Sequence, residues 1–161
     1  MQYPASFEQI AKKENQDGKQ KYSMLGVLKM DVDNLGAIFS IGLKGMQSES
    51  DDIGKMSVSR YANLSRELEH YFSGSVNKIA EEKNIYLVYS GGDDLFAVGF
   101  WEDLIEFAAK VRDDFMKFAC NNENIGISAG IYFMKENFPI ARASQYAGNL
   151  EEKATLRPNK N

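Results

Sequence analysis

The sequence predicts an α+β fold of the split βαβ, ferredoxin-like kind, with a central antiparallel hairpin and helices on one face of the sheet. Three observations lead there. Hydrophobic periodicity alternates between strand and helix in the order β-α-α-β-β-α-β-α. Two apolar runs flank Ser90-Gly91-Gly92-Asp93, which reads as a hairpin turn. One amphipathic helix follows the last strand.

Each element has its own signal. Residues 1–22 are polar and form a lead-in, with a short helix around Phe7–Lys13 and an Asp17-Gly18 turn. The domain proper is expected over 23–161, either one domain of ordinary size or a fragment of something larger. Met24 to Met30 is a nearly continuous apolar run that ends at Asp31, as a strand buried on both faces does. From Asn34 to Leu43 the pattern turns helical, and 44–57 reads as a mobile loop. Tyr61, Leu64, Leu68, Tyr71, Phe72, Val76 and Ile79 line one face of a long helix ending near Lys83, with Gly74 a weak point in it.

Ile85–Tyr89 and Asp94–Phe100 are the hairpin strands. Trp101 to Phe118 is helical, with Glu102 and Asp103 at its positive end. Residues 125–133 alternate as a strand. Pro139 opens the last helix, with Ile140, Ala143, Ala147 and Leu150 expected to face inward.

Composition narrows the function. A chain of 161 residues buries roughly two-thirds of its unfolded surface, enough for a real core. Lys and Arg number 19 against 23 Asp and Glu, a net charge of −4. That balance argues against autonomous nucleic-acid binding, which needs a basic excess. The one histidine, His70, excludes a His-rich zinc cluster and a Ser-His-Asp triad, and reads as a surface or boundary residue. The one cysteine, Cys120, excludes an intrachain disulfide and reads as a small buried or half-buried helix-end residue in a reducing compartment. No apolar run reaches the ~18–20 residues of a membrane span, and residues 1–21 lack a secretory signal. A cytoplasmic location without membrane contact is expected.

Chemistry must therefore rest on carboxylates, backbone amides and a metal ion. Two acidic clusters lie at predicted strand ends: Asp31 and Asp33 after the first strand, Asp93 and Asp94 in the hairpin turn. The split βαβ sheet makes the first strand and the hairpin neighbours. Like charges at such range call for a cation, and oxygen-only donors suit Mg²⁺ or Mn²⁺. Gly91 and Gly92 let a phosphate chain approach the backbone, and the helix start at Asn34 offers free N–H groups. Together these parts describe phosphoryl or nucleotidyl transfer. The plainer readings are a helix-capping Asp33 and an ordinary Gly-Gly hairpin.

Leu28-Lys29-Met30-Asp31-Val32-Asp33-Asn34-Leu35-Gly36, with Tyr89-Ser90-Gly91-Gly92-Asp93-Asp94-Leu95-Phe96, resembles the second Palm domain of the large subunit of type III CRISPR effector complexes. The Asp-Val-Asp-Asn-Leu-Gly wording is similar to the Csm-type, subtype III-A branch. The resemblance implies a GGDD cyclase/polymerase-like Palm domain that makes cyclic oligoadenylates from ATP, in antiviral defence, when target RNA is bound. It implies Asp93 and Asp94 as catalytic residues. Asp31, Asp93, Asp94 and the Val32 carbonyl become metal ligands for one or two Mg²⁺ or Mn²⁺ ions. Asp33, Asn34, Ser90, Gly91, Gly92, Lys153 and Arg157 become nucleotide-binding candidates. The implied partners are the first Palm domain, the nuclease domain, the other effector subunits, and guide and target RNA through the complex.

The last helix of related cyclases carries a phosphate-holding lysine. Here Thr155 stands at the usual position, leaving Lys153, Arg157 and Lys160 as candidates. Two other readings stay open. A GGDEF-type diguanylate cyclase shares the fold, but its Asp-x-Asp-x-Phe-Lys is replaced by Asp31 to Gly36, and its Arg-x-x-Asp by Glu82-Lys83-Asn84-Ile85. A non-catalytic Palm packing module has no need of four carboxylates.

Overall fold

The computed structural model describes residues 7–11, 24–38, 58–122 and 124–156. The 44–57 loop, most of the lead-in, Arg157 and Lys160 lie outside the described residues.

The order of elements is α1 (Phe7–Ala11), β1 (Leu25–Val32), α2 (Leu35–Ala37), α3 (Val58–His70), a π-helical turn (Tyr71–Val76), α4 (Asn77–Glu82), β2 (Tyr86–Gly91), β3 (Asp94–Phe100), α5 (Trp101–Phe118), β4 (Ile127–Met134) and α6 (Ile140–Thr155). The four strands form one sheet in the order β2-β3-β1-β4, with every neighbouring pair antiparallel. This is the split βαβ arrangement, and it puts β1 at the centre between β3 and β4.

Both faces of β1 are covered, which explains its apolar run. Leu28, Met30 and Val32 point into a core with Phe72, Val76, Leu104, Phe107, Val111 and Phe115, from the α3–α4 rod and α5. These core helices pack on one face, as the element order predicts. Leu25 and Val27 point the other way, into a smaller cluster with Ala143 and Ala147 of α6 and Ala11 of α1. The helix after the fourth strand thus lies on the opposite face. It sits very close, because Gly130 has no side chain: a Cβ there would fall on the Ala147 carbonyl and the Glu151 nitrogen. Leu150, expected inward, is exposed; Gly148, Glu151, Ala154 and Thr155 are the partly buried positions near the end of α6.

The long helix is not uniformly α-helical. Around Gly74 it opens into the π turn, which keeps Tyr71, Phe72 and Val76 buried. A π turn shifts the hydrogen-bond ladder, and side chains take up carbonyls there. Ser90 Oγ donates to the Phe72 carbonyl at 2.8 Å, and Asn77 Nδ2 to that of Ser73 at 2.6 Å. The Ser90 bond ties the hairpin to the helix rod.

His70 is exposed, in line with the sequence. Cys120 is also exposed, contrary to the buried or half-buried expectation. After α5, Cys120 and Asn121 both take positive φ, 54° and 55°, and this left-handed pair turns the chain away from the core.

Candidate functional site

Two neighbouring strands bring the acidic clusters together. In the β1–β3 register Asp31 pairs directly with Asp94, and on its other side with Ser128 of β4. The Val32 N–H donates to the Asp93 carbonyl at 3.0 Å, so the Val32 peptide faces the hairpin turn. Side chains alternate along a strand, so Lys29 and Asp31 share one sheet face with Asp94, Phe96 and Ser128. That face belongs to α6.

The hairpin turn is tight. Gly91 pairs with Asp94, leaving Gly92 and Asp93 as the two loop residues. Gly92 has φ +66° and Asp93 has no positive φ, the pattern of a II′ turn with glycine first. The Gly92 N–H is held by Glu69 of α3, whose Oε2 accepts at 2.7 Å. The Tyr89 hydroxyl donates to the Gly91 carbonyl at 3.0 Å. Ser90 turns toward the Phe72 carbonyl.

Asp33 behaves differently from the other acids. It is buried, and its Oδ1 accepts from Ser128 Oγ at 2.7 Å and Thr155 Oγ1 at 3.3 Å. The Asp33 N–H donates to the Gly126 carbonyl at 2.9 Å, and Gly126 leaves room for Oδ2 beside it. Asp33 therefore fastens the end of β1 to β4 and α6. Asn34 next to it is exposed and left-handed, φ 57°, and its side chain caps nothing. The helix that follows is a three-residue piece within the described region.

Of the expected nucleotide contacts, Lys153 is exposed and lies two residues from both Glu151 and Thr155. At 100° per residue that spacing puts it on the far side of α6 from the site. The single Thr155 O–H is shared between Asp33 and Glu151, the latter nearer at 2.9 Å. Glu69 and Glu151 are site neighbours outside the quoted motifs, and Tyr89 and Lys29 lie within them without an assigned role. Each comes from a segment that reads as ordinary helix or strand, so only the fold reveals it.

The electrostatics are those of crowded anions. Asp31 is pushed up from 3.8 to about 6, first by burial, then by Asp93, Glu151, Asp94 and Asp33. Asp94 is raised by burial and by Asp93, against a partial offset from the Tyr89 hydroxyl and from Lys29. Tyr89 is raised in turn, chiefly by the Asp94 charge. Among the described residues no three Asp, Glu, His or Cys side chains are grouped so as to hold a metal ion as they stand. The donor set nevertheless fits a hard cation. It is all oxygen, it is anionic, and its members repel one another in a way that a divalent ion relieves.

A stability effect follows from Asp31. The folded chain holds this proton up to about pH 6, while an ordinary carboxyl releases it near 3.8. Folding thus takes up a proton between those values, and stability is lost as pH rises through that window. In EDTA, Asp31→Asn should stabilise the chain at pH 7 by about 1–2 kcal/mol, after allowance for solvent screening of a partly exposed group. The gain should vanish near pH 4, where the wild-type carboxyl is protonated. Urea denaturation at the two pH values checks it; an equal gain at both would show that charge is not the cause.

The model of the Cas10/Cmr2 second palm domain matches residues 24–161. The chain belongs to this family. Within it, the palm domain is 36% identical over 140 residues to the single-strand-specific deoxyribonuclease Cas10/Csm1 (subtype III-A) of Streptococcus thermophilus, covering 87% of this chain and 18% of that protein. Its fold matches the crystal structure of a Csm1–Csm4 cassette in complex with AMPPNP, with a TM-score of 0.72 and 27% identity, over 92% of this chain and 21% of the other. A Csm1–Csm4 cassette in complex with cA4 matches with a TM-score of 0.67 and 26% identity, over 88% and 22%. The palm domain thus spans about a fifth of the length of these relatives. Among its described residues no helix is long and apolar enough to cross a membrane.

Proposed function

We propose that this palm domain is a catalytic part of a type III-A CRISPR large subunit that converts ATP into cyclic oligoadenylate in response to target RNA. The observation that carries the reading is the Asp31–Asp94 pair, which joins the two acidic motifs across one strand boundary. The AMPPNP and cA4 complexes of structural relatives support ATP as substrate and a cyclic oligoadenylate as product. Family membership favours this reading over a diguanylate cyclase. Retention of Asp31, Asp93 and Asp94 favours it over a packing module, for which Asp33 alone would serve.

Asp31, Asp93, Asp94 and the Val32 carbonyl would hold Mg²⁺ or Mn²⁺, which supplies Lewis acidity toward the attacking hydroxyl and the triphosphate. The residues do the rest. In-line attack by the ribose hydroxyl of one ATP forms a bond to the α-phosphorus of another. The bond from that phosphorus to the bridging oxygen breaks, and pyrophosphate leaves. The II′ turn sets Asp93 beside Asp31, and Glu69 and Ser90 fix that turn from the helix rod. Asp33 holds the end of β1 through Ser128 and Thr155, which makes it a positioning residue in this account. The nuclease activity named for the relatives is not assigned to this segment. Guide and target RNA, the first palm domain and the other subunits act through the assembled complex. The reading is tested by incubating that complex with ATP and target RNA; failure to form cyclic oligoadenylate and pyrophosphate would remove it.

A further inference from the structure

We propose that Lys29 supplies the positive charge that grips the phosphates of the bound nucleotide, an assignment that rests on the reading of this face as an ATP site. Lys29 lies two residues before Asp31, on the same face of β1, and its strand partners are Phe96 and Gly130. It is half-buried. Two glycines make its berth. Gly130 offers no side chain beside it, and its stem runs past Gly148 of α6, with Cδ 3.6 Å and Nζ 3.8 Å from where a Cβ would stand.

The ammonium is committed to no partner among the described residues. Among the described residues Lys29 makes no hydrogen bond and no ion pair, and it acts on Asp94 only at longer range. A half-buried lysine without a partner among the described residues is available to an anion from outside the chain. A compact charge on a flexible stem suits a phosphate oxygen. Among the described residues the last helix offers no alternative. The residues it turns toward the site are Gly148, Glu151 and Thr155, and none is cationic. The charge that related cyclases are expected to take from this helix comes here from the central strand. Balancing Asp94 is the competing role, and it predicts a different pattern of binding.

The test compares wild type, Lys29→Met and Lys29→Arg in the assembled complex, with Mg²⁺ present. Affinity is measured for a non-hydrolysable ATP analogue and for adenosine, which has no phosphate. Methionine keeps the length and apolar stem, and melting curves check folding; if it melts early, Lys29→Gln is the neutral variant. Loss of one charge-assisted contact should weaken the analogue about ten- to a hundred-fold. Adenosine binding should stay unchanged, and arginine should restore most of the loss. Equal analogue affinity in the wild type and the neutral variant would overturn the assignment alone, as would equal weakening of adenosine. A wild-type complex that binds no analogue would overturn the ATP reading and the assignment with it.

Discussion

Replacing Asp93 and Asp94 together with alanine should lower cyclic oligoadenylate synthesis by the assembled complex about a thousand-fold or more. A bound metal contributes several kcal/mol of charge stabilisation, and each 1.36 kcal/mol is tenfold in rate. The double variant strips the hairpin's share of the carboxylate set and leaves Asp31 alone. The fold should survive. Val32 donates to the Asp93 backbone carbonyl, which alanine retains, and Glu69 still accepts from the Gly92 N–H. Asp93 and Asp94 both push Asp31 upward, so their removal also relieves repulsion. Product quantification beside melting curves reads both effects. Full synthesis by the variant would show that these aspartates are not the catalytic pair. A collapsed melting curve would show that they are structural.

The second large effect concerns the chain by itself. One carboxylate cluster orients one triphosphate, while the reaction joins two nucleotides. The second needs another surface, which the family resemblance assigns to the other palm domain. Orientation on an enzyme is worth up to ~7–11 kcal/mol in well-aligned cases. The 161-residue chain should therefore turn over ATP very slowly with Mg²⁺ or Mn²⁺. Any activity should rise per chain with protein concentration, as copies supply one another's second surface. A fast rate per chain that is flat over a hundred-fold range of concentration would show a self-sufficient monomeric site.

Much of this was legible in the sequence because the informative residues sit at strand ends. The Gly91-Gly92 pair marks the hairpin, and the period-2 register then puts Asp31 opposite Asp94. Other features depend on contacts far apart in the chain. Asp33 reads locally as a helix cap, yet its partners are Ser128 and Thr155, 95 and 122 residues away. The face on which α6 packs turns on one small residue, Gly130, and no periodicity reveals a close backbone approach. Leu150 fits the apolar stripe of α6 but is exposed, because that approach rotates Gly148 and Glu151 toward the sheet. Lys29 reads as a blemish in an apolar run; only the two glycines beside it show where its stem can go. The π turn has a single sequence trace, Gly74, and glycine in a helix has many other causes.

Asp31 and the hairpin together are proposed to hold a metal-bound triphosphate. Crystals of the protein soaked with Mn²⁺ and a non-hydrolysable ATP analogue test it most directly, through the anomalous signal of manganese. A manganese peak should appear between the Asp31 carboxylate and the Asp93–Asp94 turn, with the triphosphate beside it. Nucleotide bound elsewhere, with no manganese between Asp31 and the hairpin, would contradict it.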